Sequence, residues 1–252
     1  MKALITGAGS GIGREMAIYL DSISYELILV DKDSFSLEDL KGVLKGEHKY
    51  IVTDLSDMKK VKDLYIFTKK DNIDMLINNA GFGLFGDYNS CDMLTELEMI
   101  DVNIKALHVL TRMYLKDMVK KDSGYILNVG SSAGLLKGGP LMSCYYATKS
   151  YVVDFTCALY EELRRNKSHV VVSCLCPGPV STNFNKTAGV SFNIKSLNAR
   201  DVSIYGLKKM YLDKKLIIVP GFMTRVGVFF SRFLPVKFLL RITYNIQRKK
   251  GK

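Results

Sequence analysis

Short apolar runs recur along the chain, spaced widely enough for a helix to fit between them. They fall at residues 2–6, 26–30 (ELILV), 50–52, 75–77, 125–129, 170–175 and 216–219. Runs of this length with little polar alternation read as strands buried on both faces, which is the signature of a parallel sheet. Between the first two, Ile12, Met16, Ile18 and Leu20 carry a helical pattern, giving a strand, helix, strand unit. Seven such runs predict an α/β fold with a doubly wound, seven-stranded parallel sheet and helices on both faces. Across 92–121, Leu97, Ile100, Ile104, Leu107, Leu110 and Tyr114 recur at three- and four-residue steps. They predict one apolar helical face, packed on the sheet or against a second subunit. No internal repeat or low-complexity linker interrupts this order, so residues 1–252 are expected to form a single domain.

Composition agrees with a globular chain: 48% of the 252 residues are hydrophobic and 24% charged. No run reaches the roughly 18 apolar residues that a membrane-spanning helix needs. The N-terminus offers only Lys2 before a short apolar segment, so a signal peptide is not expected and a cytoplasmic location is. The five cysteines, Cys91, Cys144, Cys157, Cys174 and Cys176, form no CxxC pair and read as reduced core thiols. The three histidines, His48, His108 and His169, are scattered and fit no metal or hydrolase pattern.

The net charge of +11 raises the question of an anionic partner. From Thr224 to Lys252 there are eight basic residues and no acidic one, so most of the excess belongs to the C-terminal segment. No basic recognition helix or RNA-binding aromatic motif accompanies it, and nucleic acid is not an expected partner. In the same segment Phe222, Val226, Phe229, Phe230, Phe233 and Leu234 are interleaved with bases, stopped by Pro235 and followed by Phe238, Leu239 and Leu240. Four readings stay open: a packed helix with a solvated basic tail, a substrate lid, a dimer surface, or peripheral contact with an anionic membrane. Residues 184–198, rich in Asn and Ser, are expected to form a flap over the substrate.

Candidate chemistry begins with glycines. Gly7, Gly11 and Gly13 close the first strand and open the first helix in Thr6-Gly7-Ala8-Gly9-Ser10-Gly11-Ile12-Gly13. Without side chains the backbone turns tightly and approaches a pyrophosphate, whose charge the helix N-terminus stabilises. Asp31 ends the second strand 18 residues beyond Gly13. A carboxylate there accepts hydrogen bonds from the adenosine ribose hydroxyls and repels a 2′-phosphate. Its neighbour Lys32 points the other way, toward NADP. The carboxylate is weighed more heavily, because Ser10 supplies no second base, and NAD is expected ahead of NADP. The fold expected is therefore of the Rossmann type.

Further along, Asn78-Asn79-Ala80-Gly81 follows the fourth strand, Ser131 and Ser132 follow the fifth, Tyr145 and Lys149 form YxxxK, and Pro177-Gly178 follows the sixth with Thr182 five residues past Pro177. Together with TGxxxGIG over 6–13, these motifs resemble the short-chain dehydrogenase/reductase family in order and spacing over about residues 1–185. The resemblance implies a nicotinamide cofactor held by Gly7, Ser10, Gly11, Ile12, Gly13, Asp31, Asp54, Leu55, Asn79, Ala80, Gly81, Tyr145, Lys149, Pro177, Gly178, Val180 and Thr182. It implies Asn103, Ser131, Tyr145 and Lys149 as catalytic residues, with Asn103 holding a water that links Lys149 to solvent. It also implies a homodimer or homotetramer. Ser131 and Tyr145 are 14 apart, one more than the family leads one to expect, which leaves Ser132 as the alternative serine and places an extra residue in the loop around Lys137-Gly138-Gly139-Pro140.

Hydride transfer between a nicotinamide and a carbonyl carbon builds charge on the carbonyl oxygen, and an acid must neutralise it. Tyr145 is expected to supply that proton, its pKa pulled down from ~10 by the Lys149 ammonium and the positive nicotinamide. Ser131 is expected to donate to the same oxygen. The expected activity is interconversion of a secondary alcohol and a ketone, on a hydrophobic, lipid- or steroid-like small molecule. The alternatives are an NADP-dependent ketoreductase of acyl or xenobiotic carbonyls, and a catalytically idle nucleotide-sensing protein on the same fold.

Overall fold

The computed structural model describes residues 1–182 and 196–249. Seven strands form one wholly parallel sheet: β1 (Lys2–Thr6), β2 (Glu26–Asp31), β3 (Lys49–Val52), β4 (Met75–Asn78), β5 (Tyr125–Val129), β6 (Val171–Leu175) and β9 (Ile217–Ile218). Their spatial order is β3-β2-β1-β4-β5-β6-β9. A two-residue parallel pair, β7 (Val180–Ser181) with β8 (Leu197–Asn198), lies apart from that sheet. Between the strands run α1 (Gly11–Ser22), α2 (Ser34–Lys41), α3 (Met58–Thr68), α4 (Met93–Ile100), α5 (Leu107–Lys120), α6 (Ser143–Arg165) and α7 (Ala199–Tyr211), followed by α8 (Phe222–Ser231) and α9 (Val236–Arg248). The seven expected runs are the seven strands, and the expected α/β architecture is the one observed.

Strand residues alternate between two apolar layers, which is why the runs are apolar throughout. Ala3, Ile5, Leu27, Leu29, Ile77 and Leu127 pack with Met16, Ala17 and Leu20 of α1 and with Val202, Leu207 and Met210 of α7. Leu4, Ile28, Val30, Leu76, Ile126 and Val172 face the other way, onto Val61 and Leu64 of α3, Leu110, Tyr114 and Met118 of α5, and Leu163 of α6. Each fully buried aliphatic side chain contributes about 1.5–3 kcal/mol relative to exposure, and the strand faces are mostly apolar, with Asn78 and Asn128 buried as a hydrogen-bonded pair. Helix starts are marked by side-chain caps: Asp33 for α2, Asp57 for α3, Asp92 for α4 and Asn198 for α7 each accept a main-chain N–H.

The long helical segment departs from its expected single face. Between α4 and α5, residues Asp101–Ala106 form a π-helical turn, which inserts one residue per turn and rotates the positions before it relative to those after. Leu107, Leu110 and Tyr114 are buried as expected, but Leu97 is 49% exposed, and Met99 and Asn103 take the inward positions instead.

The sheet order reverses between β1 and β4, so the loops after these strands diverge and leave a crevice at their C-terminal ends. The glycine-rich turn follows β1, and Asn79-Ala80-Gly81 follows β4, bringing both expected motifs to the crevice.

Candidate active site

The crevice is a cleft of about 550 Å³, within the range of small-molecule sites. Its wall includes Gly7, Ser10, Gly11, Ile12, Asp31, Asp54, Leu55, Asn79, Ala80, Gly81, Ser131, Tyr145, Lys149, Pro177, Gly178, Val180 and Thr182. Two expected site residues are not part of the wall. Gly13 lies beneath it: a Cβ there would stand 2.2 Å from the Gly7 carbonyl oxygen, so its glycine serves the packing of α1 against the turn. Asn103 lies behind Gly81 and is 1% exposed.

The glycine turn is held open from the β4 side. Gly7 (φ 64°) and Gly11 (φ 54°) adopt the left-handed conformation that favours glycine. Asn79 Nδ2 donates to the carbonyls of Thr6 (3.1 Å) and Gly7 (2.9 Å), while Thr6 Oγ1 accepts from the main-chain N–H groups of Asn79 and Ala80. Ser10 occupies the N-cap of α1 but makes no capping hydrogen bond, unlike the Asp and Asn caps of α2, α3, α4 and α7. The first N–H groups of α1 are therefore left without a side-chain cap, a donor set that fits a pyrophosphate.

Asp31 is fixed at the end of β2 by accepting hydrogen bonds from Gly9 N (2.8 Å) and Asp33 N (3.1 Å). Lys32 also lines the cleft, but its ammonium stands 3.2 Å from Glu98 Oε1 and over the Phe82 ring. Asp54 Oδ1 accepts from the main-chain N–H (2.9 Å) and hydroxyl (2.8 Å) of Ser56. The Ser56 N–H is the main reason its carboxyl is held below the ordinary carboxylate range.

At the other end of the cleft, α6 presents Tyr145 and Lys149 one turn apart on its buried face. The loop after β5 meets them: Ser131 hydrogen-bonds the Tyr145 side chain, and Lys149 Nζ donates to the Val129 carbonyl at 2.8 Å. That approach needs Gly134, where a Cβ would stand 2.3 Å from the Lys149 carbonyl oxygen. Of the two candidate serines, Ser131 is the one bonded to Tyr145 although both line the cleft. The residues between fold back over α6, with Gly138 left-handed (φ 79°) and Gly139 against the Tyr146 ring.

Burial sets the electrostatics here. It pushes the Tyr145 phenol up to about 12, against a smaller lowering by Ser131, and pushes the Lys149 ammonium down to about 8. Desolvation disfavours the charged form of both groups, so the chain by itself does not produce the lowered tyrosine expected from the sequence. Asn103 is hydrogen-bonded within the chain: Oδ1 accepts from Phe82 N (3.1 Å), and Nδ2 donates to the Phe82 carbonyl (2.9 Å) and to Thr148 Oγ1 (3.1 Å). From its place on the π-helical turn it thereby clamps the loop after Gly81 to α6.

Several cleft residues escaped sequence reasoning, among them Phe82, Leu84, Met142 and Gln247. Gln247, near the end of α9, is 1% exposed, lines the cleft and donates from Nε2 to Tyr146 Oη at 2.6 Å. Its Oε1 has no hydrogen-bond partner among the described residues. The sequence signal was faint: a lone glutamine in a basic tail, four residues beyond Thr243 and eight beyond Leu239, the two other buried positions of α9.

Comparison with known proteins places this geometry. The chain is 29% identical over 252 residues to estradiol 17-beta-dehydrogenase 11 of Macaca fascicularis, covering 98% of this chain and 83% of that one. A short-chain dehydrogenase/reductase from Burkholderia phymatum, solved in complex with NAD, superposes with a TM-score of 0.81 at 26% identity, over 90% of this chain and 91% of that one. A short-chain dehydrogenase from Sphingobium yanoikuyae, solved with NADPH, gives a TM-score of 0.80 at 25% identity, over 92% and 93%. The family model described as short chain dehydrogenase matches residues 1–190. With three quarters of its length matched, the chain belongs to the short chain dehydrogenase family of oxidoreductases, which act on hydroxyl groups.

Proposed function

We propose that this protein oxidises a hydrophobic secondary alcohol, or reduces the matching ketone, with NAD as the preferred cofactor and Tyr145 as the acid/base. The observation that carries this reading is the meeting of Ser131, Tyr145 and Lys149 in a buried pocket at the end of a glycine-walled cleft. When bound, a nicotinamide supplies the hydride acceptor or donor. The glycine turn and the open end of α1 would hold its pyrophosphate, and Asp31 its adenosine ribose. Toward the reacting centre the wall carries Phe82, Leu84, Met142 and Tyr146, which suit an apolar body, with the Gln247 amide as a polar contact. The name of the macaque relative, an estradiol dehydrogenase, supports a substrate of steroid-like hydrophobicity.

In reduction the Tyr145 hydroxyl donates its proton to the carbonyl oxygen as charge develops, while the Ser131 hydroxyl donates a hydrogen bond to the same oxygen. Lys149, anchored on Val129, supplies the positive charge that stabilises tyrosinate during the transfer. Oxidation runs the proton the other way, from substrate hydroxyl to Tyr145. Because burial holds the phenol near 12, the base form is scarce at neutral pH. The kcat/KM of oxidation is therefore expected to climb about tenfold per pH unit below the operative pKa, and that of reduction to stay flat across neutral pH. Parallel pH profiles measured in both directions on one alcohol/ketone pair check this; a flat oxidation limb would exclude Tyr145 as the base.

The cofactor assignment rests on Asp31, with Lys32 already paired to Glu98. Asp31→Ser is expected to lower the ratio of NADH to NADPH affinity by about tenfold or more, through loss of the ribose hydrogen bonds and of repulsion toward a 2′-phosphate. Fluorescence titration of both cofactors gives the ratio, and an unchanged ratio would mean that Lys32 decides instead. A cytoplasmic homodimer or homotetramer is part of the same proposal, with the half-exposed Leu97 side of the long helical segment open to a second subunit.

A further inference from the structure

The C-terminal helices are amphipathic in an unusual sense: α8 turns its apolar face away from the protein. Phe222, Val226, Phe229 and Phe233 follow at i, i+4, i+7 and i+11, so they share one side of α8 and its C-terminal turn. Phe222, Phe229 and Phe233 are 70%, 54% and 71% exposed, and Phe230 and Met223 beside them are also exposed. The side turned to the protein holds the smaller Val228 and Ser231, with Thr224 against Gly178. Phe229 makes edge contacts with Phe230 and Phe233 at 5.5 and 5.3 Å, so these rings cluster on the surface. Arg225 and Arg232, seven residues apart, run along one flank.

On α9 the pattern repeats. Leu239, Thr243 and Gln247 point inward. Phe238, Ile242 and Ile246 form an adjoining stripe, with Phe238 and Ile246 exposed, and Lys237, Arg241 and Arg248 are exposed beside it. No acidic residue occurs after Asp213, so an aromatic patch is rimmed by one sign of charge.

We infer that the α8–α9 face docks the protein on an anionic lipid bilayer, with the phenylalanines in the headgroup–acyl boundary and the flanking bases on lipid phosphates. Charge complementarity favours this occupant over a second copy, because a twofold contact would set Arg225, Arg232 and Lys237 against their own duplicates. No described helix is long and apolar enough to cross a membrane, so the contact is peripheral. The surface borders the cleft: α8 begins against Gly178, and α9 delivers Gln247 into the wall. Docking thus brings the mouth of the cleft to the lipid, where apolar alcohols concentrate.

The test is co-sedimentation of the full chain with sucrose-loaded vesicles of phosphatidylcholine alone or with phosphatidylglycerol added, at two salt concentrations. Binding is expected to be about tenfold or more tighter on anionic vesicles, at about fivefold per base engaged, and to weaken with salt. Phe229→Ser/Phe233→Ser and Arg225→Glu/Arg232→Glu should each weaken it about tenfold or more. All four side chains are exposed, so these variants keep the fold, which circular dichroism verifies. Absence of vesicle binding, equal binding to neutral vesicles, or full binding by the serine variant would overturn the inference. So would light scattering showing that the serine variant splits an oligomer without altering vesicle binding. The readout involves no turnover, so it stands or falls separately from the proposed chemistry.

Discussion

Tyr145→Phe is expected to lower turnover by about a thousandfold, the span that a positioned acid/base contributes, while leaving NADH affinity within about twofold. The phenol oxygen is the only atom removed, and the ring keeps its place between Tyr146 and the loop after β5. Ser131 loses a hydrogen-bond partner but is still fixed by its bond to Ala133 N. Steady-state kinetics on wild type and variant, alongside cofactor titration, separate the two effects. Turnover retained at a tenth of wild type would remove Tyr145 from the chemistry; lost cofactor binding would mean that the substitution had disturbed the cleft instead.

Lys149→Met has two expected effects of opposite sign. Turnover falls by at least about a hundredfold, because the positive charge that stabilises tyrosinate is gone. Stability moves the other way. Burial depresses the Lys149 pKa to about 8, below the ~10.4 of an unfolded chain. Between those values the unfolded state binds more protons than the folded one, so the lysine's contribution to stability rises with pH across that window. Below about pH 8 the folded protein bears the full cost of a buried charge, on the order of 3 kcal/mol for a shift of this size. Methionine fills the space without the charge, and the Val129 carbonyl loses its partner at a cost of about 1 kcal/mol. The variant is therefore expected to gain on the order of 2 kcal/mol at pH 7 and to lose the wild-type gain between pH 8 and 10.5. Urea denaturation at pH 7 and pH 10 measures both terms, and a variant markedly less stable at pH 7 would contradict the burial account.

Most of the sheet and of the cofactor cleft was legible in the sequence, for a physical reason. Parallel strands buried on both faces must be apolar throughout, so β1, β2 and β5 stand out as runs, and a backbone that must approach a pyrophosphate leaves glycines as its trace. What escaped depends on geometry that residue spacing does not encode. The helical face read through Leu97, Ile100 and Ile104 assumed a uniform α-helix, and the π-helical turn at Asp101–Ala106 rotated it, exposing Leu97 and burying Asn103. Asn103 also clamps Phe82, a contact that packing creates and residue spacing does not encode.

Without a nicotinamide beside it, Tyr145 is pushed up by burial, an effect that the sequence does not display. The lysine's charge can be read from the sequence, but the completeness of its burial and the tyrosine's cannot. Gln247 reaches the cleft from 101 residues beyond Tyr146, a contact that only the path of α9 creates. The apolar series from Phe222 was visible; which side of α8 it faced was not, since an inward and an outward apolar face have the same periodicity. The flap expected over 184–198 lies, up to residue 195, outside the described residues.

The most direct measurement is titration of the purified protein with NADH and with NADPH, following the nicotinamide's own emission at two salt concentrations. The chain has no tryptophan, so energy transfer from one does not complicate the signal. The account predicts saturable, salt-resistant enhancement with one NADH per chain, tighter than with NADPH. Saturation by neither cofactor would contradict it, leaving the glycine turn, Asp31 and the buried Tyr145 and Lys149 without the reaction proposed for them.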